Sequence, residues 1–203
     1  DLLVLGARNL RDYFQGRGYF EAEVDFQVID AGADQQEIVY VVTQGPRYRL
    51  VDVIVQGNQY FDDESIRERM FLLPARFLVH RRGRYSEGLA RRDEEAIARL
   101  YQANGFRDAQ VAIQTTGRGA GTGGDVTAVV TIEEGPQYFV SGLKLHGVEA
   151  IDQQALMPAL ASQPGQPFSE YNVGLDRDYI LTAYQQAGYP EAAFEWRMSE
   201  GPG

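Results

Sequence analysis

An internal repeat limits what this chain can fold into more than any other feature. Residues 13–24 read "YFQGRGYFEAEV", residues 101–111 read "YQANGFRDAQV", and residues 184–194 read "YQQAGYPEAAF". Each copy passes from an aromatic residue through a glycine to a second aromatic, then to an acidic residue, an alanine and alternating residues. The glycines are Gly18, Gly105 and Gly188, spaced 87 and 83 residues apart. A period of that length turns 203 residues into small units in series rather than one large domain.

The middle copy carries every element. "RYRLVDVIVQGN" alternates apolar and polar residues and ends in Gly-Asn, which predicts a strand closed by a turn. "YFDDESIRERMFLL" predicts a short helix with Asp62 as N-cap, Asp63 and Glu64 in its first turn, and Phe61 and Ile66 spaced as a hydrophobic staple. "RYSEGLARRDEEAIARLYQANG" predicts a longer helix capped by Ser86, with Ile97, Leu100 and Tyr101 on one face and Gly105 just past its end. "DAQVAIQTT" alternates again: Ala109, Val111 and Ile113 share one face, and Gln110, Ala112 and Gln114 the other. A glycine-rich loop then leads into the strand "DVTAVVTIEEGP". In the third copy Asp152, Leu156, Ser169, Ile180 and Tyr184 fall at matched offsets.

The unit is therefore β-α-α-β-β, and the fold class is α+β. Tandem units each hold a three-stranded mixed sheet with two helices on one face, because each amphipathic element has one face to bury. The second and third strands form a hairpin. The first strand is expected to pair with the third, leaving the second at an edge. Residues 1–45 hold only the last helix and two strands of a unit, residues 46–135 a complete unit, and residues 136–203 a unit lacking its last strand. The chain opens inside its first repeat, so it reads as a piece of a longer protein. At its ends we expect exposed sheet edges or disorder. Pro46 and Pro136, in "QGPRY" and "EGPQY", keep one unit's strand from running into the next, which predicts a semi-rigid array.

Charge and composition exclude several classes of function. The net charge of −10 argues against nucleic acid. The charge is uneven: residues 1–45 and 135–203 each carry 3 basic and 8 acidic groups, whereas residues 46–134 carry 13 of each. There is no cysteine, and the two histidines, His80 and His146, make no pair, so a zinc site lacks its usual ligands. The loop "GRGAGTGG" lacks the lysine of a phosphate-binding loop and precedes a strand, so it reads as a hairpin connection. No nucleophile, base and orienting group recur together, so the chain is not read as an enzyme, and no cofactor or metal is expected.

The repeat resembles the POTRA (polypeptide-transport-associated) domain. The resemblance rests on the β-α-α-β-β order, on the tyrosine-to-glycine-to-alanine spacing across second helix and strand, and on "EGP" between units. "RRGRYSEGLARRDEEAIARLYQANGF" is similar to repeats of the outer-membrane barrel-assembly type. The resemblance implies a non-catalytic scaffold at the periplasmic face of a Gram-negative outer membrane, attached to a C-terminal β-barrel. The implied partners are unfolded outer-membrane polypeptides and accessory periplasmic proteins or lipoproteins. It also implies β-augmentation, in which a client strand joins a sheet edge. A secretion transporter or a passive spacer before a barrel are the alternatives.

Two surfaces are candidates. The first is the edge strand at 108–116: Asp108, Gln110, Val111, Ala112, Ile113 and Gln114 include one charge and no proline or lysine, the devices that usually guard an edge. Its analogues at 21–29 and 191–198 carry more outward charge and are expected to be poorer acceptors. The second is a basic-apolar loop between the helices, containing Arg76, Phe77, Leu78, His80, Arg81, Arg82 and Arg84, which reads as a solvated loop or a docking site. The aromatic column that includes Phe26 and Trp196 is read as core, with Trp196 free for a contact if its unit is incomplete.

Overall fold

A computed structural model describes residues 2–32, 35–76, 81–117 and 123–199. The elements follow in the order α1 (Leu2–Gln15), β1 (Glu23–Gly32), β2 (Gln35–Thr43), β3 (Tyr48–Gln56), α2 (Asp63–Arg67), α3 (Glu87–Ala103), β4 (Gln110–Thr116), β5 (Gly124–Glu133), α4 (Gln153–Leu156), a 3-10 turn (Met157–Ala159) and α5 (Glu170–Gln186). The chain divides into two compact units, residues 1–97 with 111–133 and residues 98–110 with 134–203.

The first unit holds both sheets. The strands of the central repeat lie in the order β3-β5-β4, and β1 and β2 form a separate two-stranded sheet. β3 runs parallel to β5, with Tyr48 opposite Gly124 and Val53 opposite Ala128, and the register shifts between Leu50 and Asp52. That shift moves the buried positions of β3 from Tyr48 and Leu50 to Val53 and Val55. The middle strand is β5, which buries Val126, Ala128, Val130 and Ile132. Beneath the sheet, Ile66 of α2 is fully buried; sequestering a side chain of that size stabilises by about 1.5–3 kcal/mol. α2 forms because Asp62 accepts from the Ser65 amide at 2.8 Å and thereby satisfies one orphan donor of its first turn. α3 is capped by the Ser86 hydroxyl, which accepts from the Leu89 amide at 3.1 Å.

β1 and β2 pair antiparallel from Glu23–Thr43 to Gly32–Gln35, with an irregularity between Asp30 and Gly32. Phe26 and Tyr40 face each other across the ladder with ring centroids 6.2 Å apart. Among the described residues of this ribbon only its base is well buried, at Ala22; Phe26 is half-buried, and Val28, Ile29, Ile38 and Val41 are exposed.

In the second unit, α4 and α5 form where the spacing places them. Asp152 caps α4 by accepting from the Gln154 amide at 2.9 Å. Ser169 takes the N-cap position of α5, but its side chain makes no capping bond. The expected strands of this repeat do not form. Residues 138–148 carry a single bridge, Phe139 to Pro167, and residues 191–198 are irregular. The strand order of the central repeat supplies the reason. Its third strand lies between the other two, and residues 136–199 contain no counterpart of it. Two strand-like segments without their middle strand have nothing to pair with. Trp196 is accordingly 45% exposed, against the expectation that it belongs to the core, and its ring lies 6.2 Å from that of Phe168.

Candidate functional site

The outer edge of β4 is built by the pleat. Its seven residues, QVAIQTT, carry no charge and no proline. Gln110, Ala112, Gln114 and Thr116 are exposed, and Val111, Ile113 and Thr115 are half-buried. The strand begins at Gln110, two residues later than the alternation predicts. Asp108 lies before it in a turn, where its carboxylate accepts the Tyr138 hydroxyl at 3.1 Å and faces Arg107 at 3.5 Å. Asp108 is therefore engaged by the following repeat and is not part of the free edge.

Sequence reasoning missed a guard on this edge. The Ile113 amide donates to Glu94 Oε1 of α3 at 2.7 Å. A backbone amide bonded to a side chain is not in the ladder with β5, so Ile113 turns its polar groups outward. Residues two apart along a strand face the same edge, so Val111 and Thr115 share that orientation. An ionised carboxylate makes a strong hydrogen bond to an amide. Glu94 thus occupies one acceptor position that an added strand would fill. The local pattern of α3 gave no hint of this, because Glu94 reads as one more acidic residue on a helix.

The opposite edge of the sheet is covered. Leu50 of β3 donates to the Arg82 carbonyl at 2.9 Å and accepts from Ala75 at 2.7 Å, and Arg67 reaches the Val53 carbonyl at 3.1 Å. Leu73 and Arg84 form a bridge that ties down both ends of the loop between α2 and α3. In that loop Arg76, Arg81, Arg82 and Arg84 are exposed; Phe77, Leu78 and His80 lie outside the described residues.

The three repeat glycines adopt one conformation, with φ of +94° at Gly18, +92° at Gly105 and +93° at Gly188, a region that side chains disfavour. They differ in what approaches them. The Tyr48 amide donates to the Gly18 carbonyl at 2.6 Å and the Tyr138 amide to the Gly105 carbonyl at 2.8 Å. A Cβ at Gly18 would lie 2.8 Å from the Tyr48 carbonyl and one at Gly105 2.5 Å from that of Tyr138, whereas at Gly188 nothing stands within 4 Å. Among the described residues no cluster of three or more His, Asp or Glu side chains could hold a metal ion.

Comparison with known proteins places this geometry. Residues 48–135 match the family model described as POTRA, surface antigen variable number repeat. The chain is 25% identical over 167 residues to the outer membrane protein assembly factor BamA of Nitratidesulfovibrio vulgaris and 21% identical over 186 residues to that of Neisseria meningitidis serogroup B. These alignments take in 81% and 89% of the chain but only 19% and 23% of the relatives' length. The POTRA3-5 crystal structure of Haemophilus influenzae BamA superposes with a TM-score of 0.56 at 18% identity, covering 87% of this chain and 67% of that one, which shows a shared fold.

Proposed function

We propose, for a chain whose residues 48–135 match the POTRA family model, that it is a polypeptide-binding scaffold of an outer-membrane protein assembly factor. It stands at the periplasmic face of a Gram-negative outer membrane, joined to a C-terminal β-barrel. Unfolded barrel polypeptides add a strand at β4, and accessory periplasmic proteins or lipoproteins dock elsewhere on the repeats. The observation that carries this reading is the uncharged edge of β4, whose Val111 and Ile113 turn their backbone polar groups outward beside small, neutral side chains. Backbone pairing reads little sequence, which suits a factor that must accept many clients.

The guard at Glu94 makes the reading testable in both directions. An unfolded β-strand peptide with a photoreactive residue should crosslink to β4. Val111→Pro, which removes an outward amide, should abolish the crosslink while circular dichroism stays native. Glu94→Ala, which vacates the Ile113 amide, should increase it. Crosslinking that survives in a folded Val111→Pro protein and ignores Glu94→Ala places client binding on another surface. No crosslink in any variant leaves the spacer reading, which the hydrogen-bonded repeat junctions favour.

A further inference from the structure

A second feature of the first compact unit lies on the far side of the sheet from β4. A cavity of about 640 Å³ is lined by Arg47, Arg49, Arg81, Arg82, Gly124 and Asp125. Two of the four guanidiniums are held in place. Arg47 donates to the Arg17 carbonyl at 3.2 and 3.3 Å and lies 5.1 Å over the Tyr19 ring. Arg49 makes a two-point contact with Asp125 at 2.8 and 2.9 Å. Arg81 and Arg82 have no ion-pair partner among the described residues, although the Arg82 backbone is fixed by the Leu50 amide. Four guanidiniums against one carboxylate leave three positive charges uncompensated, on a chain whose net charge is −10.

The third repeat shows which of these arginines recur at matched positions. Its first-strand segment places Gln137 and Phe139 where the central repeat has Arg47 and Arg49. Its loop between helices is shorter. Asp93 holds the amides of Phe71 and Leu72, and Asp176 holds those of Ala161 and Ser162, which fixes the alignment of the two loops. From there, Leu72 to Ser86 spans seven residues more than Ser162 to Ser169, and the extra stretch carries Arg81 and Arg82. The junction hydrogen bond, Tyr138 to Gly105, forms without any of the four arginines. Arg47 and Arg49 thus serve the junction and the β3–β5 pair, as Gln137 does where it donates to the Asn104 carbonyl at 2.9 Å, whereas Arg81 and Arg82 make no such bond among the described residues and add repulsion beside the other two.

We propose that Arg47, Arg49, Arg81 and Arg82 form a binding site for a phosphate-bearing anion of two or more negative charges. The planar guanidinium fork matches phosphate oxygens, and three uncompensated charges suit a multiply charged group better than a single carboxylate. The phosphate comes from a soluble compound or from a lipid headgroup, and the chemistry of the site is the same for both.

The test titrates the 203-residue chain with inorganic pyrophosphate by calorimetry and, separately, sediments it with phosphatidylcholine vesicles with and without phosphatidic acid. Saturable pyrophosphate binding that weakens with salt is expected. Arg81→Gln/Arg82→Gln should weaken it by about tenfold or more, and Asp125→Asn, which releases Arg49, should strengthen it. Should the double variant fail to fold, Arg81→Gln alone carries the comparison, since Arg81 is exposed. Vesicle binding that depends on phosphatidic acid and on these arginines assigns the phosphate to a headgroup; pyrophosphate binding alone assigns it to a soluble compound. The proposal is overturned if wild-type chain binds neither probe, if the arginine variants bind as tightly as wild type, or if polyglutamate binds more tightly than pyrophosphate.

Discussion

The junction leading into the central repeat and the junction leading out of it use the same parts, and their differences separate what the fold requires from what it does not. In each, a positive-φ glycine passes its carbonyl to a tyrosine amide: Gly18 to Tyr48 and Gly105 to Tyr138. In each, that tyrosine's hydroxyl donates to the acidic residue three positions past the glycine, Glu21 at 2.7 Å or Asp108 at 3.1 Å. These contacts are the common joint.

The first junction adds a polar clamp at the start of α3. Gln15 is fully buried; its Oε1 accepts from the Glu87 amide at 2.8 Å, and its Nε2 donates to the Phe20 carbonyl at 3.2 Å. Asp12 accepts from the Gly88 amide at 3.1 Å. Two side chains of α1 thus cap the N-terminus of α3, where anionic and acceptor groups are favoured. The matched residues in the second junction are Arg99 and Gln102, both exposed, and Ser169 makes no capping bond to α5. One helix start is reinforced by two acceptors from the preceding helix, and the matched residues of the other are exposed.

The largest expected effect tests the common joint. Gly105→Val should destabilise by at least about 3 kcal/mol, since strain at positive φ adds to collision with the Tyr138 carbonyl. Gly188→Val should cost about 1–2 kcal/mol, since it meets the strain alone. Thermal melts of the two variants that coincide would remove the role of the glycine as a seat for the next repeat.

Next in size is the buried carboxylate of the central repeat. Asp93 is fully buried and accepts from Phe71 and Leu72, both at 2.8 Å. Asp93→Asn turns an amide donor toward one of those donors and should cost about 1–3 kcal/mol at neutral pH. Burial raises the Asp93 pKa, outweighing the opposing hydrogen bonds from Leu72 and Phe71 and the charges of Arg92 and Arg84. The folded state therefore holds its proton to higher pH than the unfolded chain does. This contribution is fully present below the unfolded pKa and is lost as pH rises through the folded one. Denaturant melts against pH should show wild type gaining on Asp93→Asn as pH falls through that window, and a constant difference would contradict the assignment.

A comparable loss at one junction, with almost none at the other, separates the two directly. Gln15→Leu should cost about 1–3 kcal/mol by leaving the Glu87 amide without its acceptor, whereas Gln102→Leu, at an exposed position, should stay within about 0.5 kcal/mol. Equal losses would mean the clamp is not specific to the first junction.

The repeat, the strand order and the caps at Asp62, Ser86 and Asp152 were legible in the sequence, because each depends on local spacing or on which face is apolar. Two kinds of feature were not. The missing strands of the third repeat could not be seen from their own alternation, since a strand needs a partner and the partner is a property of the sheet. Glu94, Gln15 and Asp12 were unreadable because each meets a backbone amide 19 to 76 residues away. Of the candidate edge, the alternation of β4 was readable, but the capture of Asp108 by Tyr138 and the guard on Ile113 were not.

Amide NMR during titration with an unfolded barrel-strand peptide tests the central claim most directly. The proposed edge predicts shifts and slowed hydrogen exchange at Val111 and Ile113, with larger effects in Glu94→Ala. It predicts little change along β1, whose Glu23, Asp25 and Asp30 oppose an added strand. Saturable shifts centred on β1 or on residues 191–198, with β4 unmoved, would contradict it.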